Sequence, residues 1–154
     1  NNIIAVMSGR PFSVTASAAS LNAPNNTQRA DQVAPEVKIL GGVGRGQSYF
    51  DPLAYKPVSE ARFGTAGFNS LYGPGRVNWD FSLFRYLRLS EKVRMELRAE
   101  AYNFTNTPKF GQPGANASNL QLNPDGSIRN LNGFTEITTA TEERQLAFGI
   151  RFTF

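Results

Sequence analysis

The sequence predicts an all-β, antiparallel fold of about five strands and two long loops. Three observations carry that expectation. Apolar and polar residues alternate with period two over 77–89, 92–104 and 142–154, the signature of a strand with one apolar face. Asn, Gly, Pro and Ala dominate the stretches 19–76 and 105–141, where Pro24, Pro35, Pro52, Pro57 and Pro74 interrupt any long helix or central strand. No window approaches the ~18 unbroken apolar residues of a membrane helix.

Composition narrows the chemistry. The 154 residues are 40% hydrophobic and 18% charged, which is not the profile of a charge-rich disordered tail. Cys and His are both absent, which excludes disulfide scaffolds, thiol nucleophiles, thiolate or imidazole metal sites and the commonest general base. The net charge of +4 is compatible with nucleic acid or anionic lipid and requires neither. No enzyme, cofactor or metal site is expected, and no residue qualifies as catalytic.

Taken in order, residues 2–7 form a short apolar strand, Ser8-Gly9-Arg10-Pro11 supplies a turn, and 12–18 is read as a second strand closing a hairpin. In 77–89, Val77, Trp79, Phe81, Leu83, Leu87 and Leu89 share one parity, while Asn78, Asp80, Ser82 and Arg88 share the other. Ser90 and Glu91 reverse the chain. Val93, Met95, Leu97, Ala99 and Ala101 then face one way, and Lys92, Arg94, Glu96, Arg98 and Glu100 the other. These residue types also favour helix. A helix would, however, leave Met95 and Ala99 off its stripe and ring it with charge, so the strand is the better reading. Asn123-Pro124-Asp125-Gly126 marks a turn within the second long loop. The last strand places Leu146, Phe148, Ile150, Phe152 and Phe154 on one face.

Strands of about ten residues, with short connections at one end and long ones at the other, follow the parity of an outer-membrane barrel. In that arrangement the last strand runs toward the short-turn side. Trp79, Phe84, Tyr86, Tyr102, Phe104, Phe152 and Phe154 are placed for interfacial girdles. A soluble antiparallel sandwich shows the same alternation and stays open on pattern alone.

The segment Leu71-Tyr72-Gly73-Pro74-Gly75-Arg76-Val77-Asn78-Trp79-Asp80-Phe81-Ser82-Leu83-Phe84 resembles the C-terminal barrel of TonB-dependent outer-membrane receptors, most closely the Oar-type, carboxypeptidase-regulatory-like group of Acidobacteria. The likeness continues through 21–33, Ala61-Arg62-Phe63-Gly64-Thr65-Ala66-Gly67 and Arg98-Ala99-Glu100-Ala101-Tyr102-Asn103-Phe104-Thr105-Asn106. The ending, with Gly149, Phe152 and Phe154, is similar to the signal read by the barrel-assembly machinery, although Ala147 stands where such signals carry a polar residue. The resemblance implies a barrel of about 22 strands around a plug, nutrient uptake energised through TonB, and an outer-membrane location. The chain would then be the last wall of that barrel, beginning internally and ending at a true C-terminus, with the remaining barrel and plug as partners.

About five strands do not close a barrel, for which about eight is the practical minimum. An alternative object is therefore a released fragment whose identical copies pair into an extracellular, β-rich, amyloid-like filament. Ile3-Ile4-Ala5-Val6-Met7 and Ala147-Phe148-Gly149-Ile150-Arg151-Phe152 are the low-charge windows suited to it.

Other features have plainer explanations. The glycines of 37–46 lack the Lys-Ser/Thr of a phosphate-binding loop and read as a flexible loop. Glu96 and Glu100 flank Arg98 as a salt-bridge ladder rather than a glycosidase pair. The arginines near Phe84 and Tyr86 are interleaved with Glu91, Glu96 and Glu100, which repel phosphate, so no nucleic-acid partner is expected. For the bacterial source that the resemblance implies, the sequons at Asn25, Asn103 and Asn116 are chance matches. For a ligand bound by the loops, Tyr49, Phe50, Tyr55, Phe63, Phe68 and Tyr72 are the exposed aromatics expected to contact it.

Overall fold

The structure is a computed structural model and describes residues 1–23 and 25–154. Pro24, expected to help break the first loop, lies outside the described residues. The strands in chain order are β1 (Asn2–Met7), β2 (Pro11–Phe12), β3 (Asp31–Gln32), β4 (Tyr55–Lys56), β5 (Leu71–Tyr72), β6 (Arg76–Arg88), β7 (Arg94–Tyr102), β8 (Lys109–Phe110), β9 (Gln121–Leu122), β10 (Ile128–Asn130), β11 (Ala140–Thr141) and β12 (Gln145–Thr153). Two single-turn 3₁₀ segments, Pro52–Ala54 and Ala117–Asn119, complete the list, and there is no α-helix among the described residues. The fold is all-β and antiparallel. The chain divides into two units, residues 1–8, 75–109 and 140–154 in one and 9–74 and 110–139 in the other.

The first unit is a four-stranded sheet of order β1-β6-β7-β12. Its centre is the β6–β7 hairpin, in which Phe81 pairs with Ala101, Leu83 with Ala99, Leu87 with Met95 and Arg88 with Arg94. The reversal is held by Ser90, whose hydroxyl accepts the backbone N–H groups of Lys92 (3.3 Å) and Val93 (3.1 Å), while Leu89 N–H donates to Val93 C=O at 3.0 Å. Met95 and Ala99 share a face with Leu97, as a strand requires, and the helical alternative for this segment does not occur. β12 continues the register, with Phe148 opposite Ala99, Ile150 opposite Leu97 and Phe152 opposite Met95.

The pairing of β6, β7 and β12 therefore gathers apolar side chains on one face and charged ones on the other, with Arg85, Phe84 and Tyr86 as exceptions. The apolar face is open: Phe148 is 80%, Ile150 65% and Leu83 60% exposed. The sheet is not closed, since β1 and β12 are both edges.

Residues 12–18 do not form the expected hairpin strand. β1 pairs instead with β6, Ile4 opposite Trp79 and Val6 opposite Val77. β1 thus runs toward the end where the long connections leave, opposite to the hairpin expectation. The sheet contains four strands rather than about five, with long connections at one end and the Ser90 reversal at the other. The reason is competition for apolar partners. Ile4 and Val6 find larger apolar partners across from them on β6, while Val14 is fully buried elsewhere, in the second unit. Of the expected strand only Phe12 pairs as part of a strand, with Leu71, alongside Pro11 of the expected turn with Tyr72, and Thr15 makes isolated bridges to Arg29 and Asn116.

The second unit contains most of both long connections, and it is compact. Its centre is Phe50, fully buried, with Phe134 at 5.5 Å edge-on, Phe12 at 5.8 Å and Tyr55 at 6.0 Å between ring centroids. Val14, Ala30, Ala66, Ala117 and Ile137 fill the remaining space. Its backbone groups are satisfied by short pairs and bridges, such as Ala30 N–H to Val14 C=O (3.1 Å) and Thr135 N–H to Gly114 C=O (2.8 Å). The glycine-rich stretch expected to be flexible is an ordered hairpin. Leu40 and Gly41 donate to Tyr49 C=O at 2.8 and 2.9 Å, and Gly44 adopts a φ of 107° open to glycine alone. The Asn123–Gly126 turn forms as expected and joins β9 to β10.

Removing the central ring has a calculable effect. Phe50→Ala should destabilise the second unit by about 3–5 kcal/mol, while Phe63→Ala, half exposed, should change its stability little. Denaturant unfolding followed by near-UV circular dichroism measures both.

Candidate functional site

Three groups of polar residues stand out, and each is built by strand pairing. On the polar face of the sheet, Phe84 lies opposite Arg98, and Arg98 opposite Gly149. The Arg98 guanidinium lies 4.8 Å from the Phe84 ring centroid, with Glu96 at 3.6 Å and Glu100 at 3.9 Å. The expected ladder of Glu96, Arg98 and Glu100 is therefore present, and neither carboxylate is free of the guanidinium.

At the loop end of the sheet, Asn103 ends β7 in a left-handed conformation with φ of 48° and is buried. Asn tolerates this geometry better than most residues. Its backbone N–H donates to Asp80 Oδ1 at 2.9 Å, and its amide nitrogen donates to the carbonyls of Thr107 (3.0 Å) and Glu142. Its amide oxygen accepts Thr107 N–H at 2.9 Å. One side chain thus ties the exit of β7 to the approach to β12. Glu142 carries a further pair of contacts, to Lys109 Nζ (2.6 Å) and Arg76 Nη1 (3.3 Å). Trp79 and Phe81 meet Phe104 at 5.1 and 5.6 Å, a ring cluster at this end that brings together Trp79 and Phe104 of the girdle expectation.

The third group is a knot in the second unit. Asp31 on β3 meets Arg62 from the segment that follows β4, and the Arg62 Nη1 and Nη2 each donate at 2.8 Å to the two carboxylate oxygens. Arg62 Nε also donates to Glu60 at 2.6 Å, and Thr65 N–H donates to Asp31 at 3.2 Å. Gln28 is buried with its amide nitrogen donating to Arg62 C=O at 2.7 Å and its oxygen accepting Gly64 N–H at 3.1 Å. Gly64 approaches so closely that a Cβ would stand 2.0 Å from the Arg29 carbonyl oxygen. The bidentate hydrogen bond from Arg62, with help from Thr65, holds the Asp31 carboxyl below its ordinary value despite burial, and the same contacts push the Arg62 guanidinium up.

The loop aromatics do not act as a set. Tyr49, Phe50 and Tyr55 are buried, contrary to the expectation of exposure, because the loops have a core that these rings fill. Burial raises the hydroxyl pKa of Tyr49 and of Tyr55, and Tyr49 Oη donates to Tyr72 C=O at 3.2 Å. Phe63, Phe68 and Tyr72 are exposed as expected. Sequence reasoning missed a groove of about 730 Å³ in this unit, bordered by Arg45, Ile128, Arg129, Leu131 and Glu136. Its one carboxylate is occupied, since Glu136 accepts the N–H groups of Gly46 and Gly133. It also missed Thr135, a fully buried β-branched residue at φ 64°, a conformation that costs of order 1–3 kcal/mol. Spacing alone carries no signal for either.

Gly149 faces the polar side opposite Arg98, whereas Phe152 is half exposed on the apolar face and Phe154 is almost fully exposed. No cluster of three or more potential metal ligands occurs among the described residues.

A family model described as "Outer membrane beta barrel domain" matches residues 1–147. Comparison with curated proteins and with solved structures gave no match.

The knot sets a pH dependence. Asp31 has a native pKa below its unfolded value of 3.8, so its stabilisation is complete above that value and is lost as the pH falls through the lowered native one. Thermal melts across that acid range should show the second unit weakening, and Arg62→Gln should lower the neutral-pH melting temperature and remove this slope. Asn103→Ala leaves the part-buried bonds to Thr107 and Glu142 unmade and should cost about 1–3 kcal/mol, read as faster amide exchange at Thr107.

Proposed function

The chain belongs to the outer-membrane β-barrel domain family, and from that premise we propose that it is the C-terminal wall segment of a TonB-dependent receptor for nutrient uptake. By this reading the apolar face meets lipid, the Arg98 ladder faces the lumen, and the second unit forms outer-surface loops. The remaining barrel, the plug and its TonB contact come from residues outside 1–154. Gly149, Phe152 and Phe154 are presented to the barrel-assembly machinery.

The observation that supports this most directly is the knot. Two separate receptor-like stretches, 21–33 and 61–67, are joined in space by Gln28, Asp31, Arg62 and Gly64. The motif residues thus serve loop architecture, as an outer-surface role for a long, ordered connection requires. The polarity of the sheet agrees, with both long connections at one end and a tight reversal at the other.

A second reading is favoured by a different observation. The two low-charge windows, Ile3–Met7 and Ala147–Phe152, lie on β1 and β12, the two edges of the sheet. Unpaired edges of this kind template pairing with further copies, so a released segment would polymerise edge to edge into an extracellular filament.

Labelling intact cells separates these readings. An epitope placed in the Asn123–Ser127 turn of the full-length parent should be reached by antibody on intact cells, and one placed at Ser90–Glu91 only after permeabilisation. Uptake that persists without TonB overturns the receptor assignment. Detergent-free filaments of the 154-residue chain, seen by electron microscopy, establish the second reading.

A further inference from the structure

One side chain on the apolar face has the wrong chemistry for its neighbours. Along β6 the series Trp79, Phe81, Leu83 and Leu87 is interrupted by Arg85, at the one position of the series that is charged. Arg85 pairs with Leu97 of β7, and Leu97 pairs with Ile150 of β12, so the guanidinium rises from an apolar row. It is exposed. Among the described residues it has no ion-pair, hydrogen-bond or ring partner. Arg76 and Arg98, by contrast, have their carboxylates, and both lie on the polar face.

Position along the strand says what Arg85 meets. Leu89, four residues on, marks the turn end, about 13 Å away along a strand that rises about 3.3 Å per residue. At the tilt of about 40° usual in such barrels this is a depth of about 10 Å. One row nearer the turn lie Leu87, Met95 and Phe152, and the next row holds Phe154 beyond the end of β12. A long side chain rooted there reaches toward the aromatic level and the headgroups while its methylenes stay among Leu83, Leu87 and Ile150. The turn end is itself basic, with Arg88, Lys92 and Arg94 against Glu91, which draws anionic headgroups. A dry protein cover over this face would instead bury an unpaired cation, which is strongly unfavourable.

We propose that Arg85 is a binding residue for the phosphodiester of an anionic phospholipid in the leaflet on the turn side. Its planar fork takes two phosphate oxygens, and Leu83, Leu97 and Ile150 line the path of the acyl chains. The proposal rests on the lipid-facing assignment of the apolar face given above.

Native mass spectrometry of the full chain, released from dodecyl maltoside micelles doped with phosphatidylglycerol or phosphatidylcholine, tests it. Wild type should retain phosphatidylglycerol preferentially, and Arg85→Leu should reduce that retention about fivefold. Arg85→Lys should keep part of it, and Lys38→Leu, at an exposed cation of the second unit, should leave it unchanged. Arg85→Gln repeats the measurement, and circular dichroism verifies that each variant keeps its strand signal. Equal retention by wild type and both neutral variants overturns the proposal, as does an equal loss in Lys38→Leu. A chain that stays monomeric without detergent and retains neither lipid overturns the lipid-facing assignment beneath it.

Discussion

The register of the β6–β7 hairpin is the constraint on which the sheet depends. Side chains alternate with period two, so a slip of β7 by one residue against β6 would turn Leu97 and Ala99 to the polar side and put Glu96, Arg98 and Glu100 on the apolar one. The Ser90 hydroxyl, accepting two backbone N–H groups, pins the reversal and hence the register. β12 and β1 then read the same pattern from the hairpin's two sides. In hydrocarbon this matters twice, because every backbone group in a spanning strand needs a partner and only correct pairing keeps charge off the lipid.

The second unit solves a different problem. Long connections carry backbone groups that neither helix nor extended sheet satisfies, and here they are met by two-residue pairs, isolated bridges and side-chain caps. The aromatic cluster around Phe50 supplies the apolar burial that offsets the entropy of ordering so irregular a chain. Asn at positive φ, as at Asn22, Asn69 and Asn132, allows tight reversals without requiring glycine at each. The abundance of Asn in these stretches is therefore conformational in origin. A loop built this way holds its exposed side chains, including Phe63, Phe68 and Arg129, in fixed positions, which is the property a binding surface needs.

Sheet and loops together suit a wall segment. The faces of the sheet separate apolar from charged rows. Asn103 anchors the strand ends at the loop side, and the Arg62–Asp31 knot organises the longer connection. The outer-membrane family assignment accounts for the exposed apolar face of the sheet. It also gives Arg85 a partner chemistry, which a soluble sandwich would not.

Periodicity alone determined the all-β class, the strand identity of 94–102, both faces of the sheet and the Glu96–Arg98–Glu100 ladder. These follow from alternation and nearest-neighbour spacing, which are local properties of a strand. Tertiary structure decided the rest, because it turned on which distant segments pair. Residues 2–7 could close a hairpin with 12–18 or pair across sixty-odd intervening residues with β6, and the larger apolar partners on β6 prevailed. Likewise, whether Phe50 or Phe63 is buried depends on the enclosing shell formed by 110–139, which spacing does not encode. The knot of Gln28, Asp31, Arg62 and Gly64 was visible only as two separate stretches of resemblance. Their hydrogen bonds exist because the segment 62–66 lies along 28–31, and that approach is a property of the folded chain.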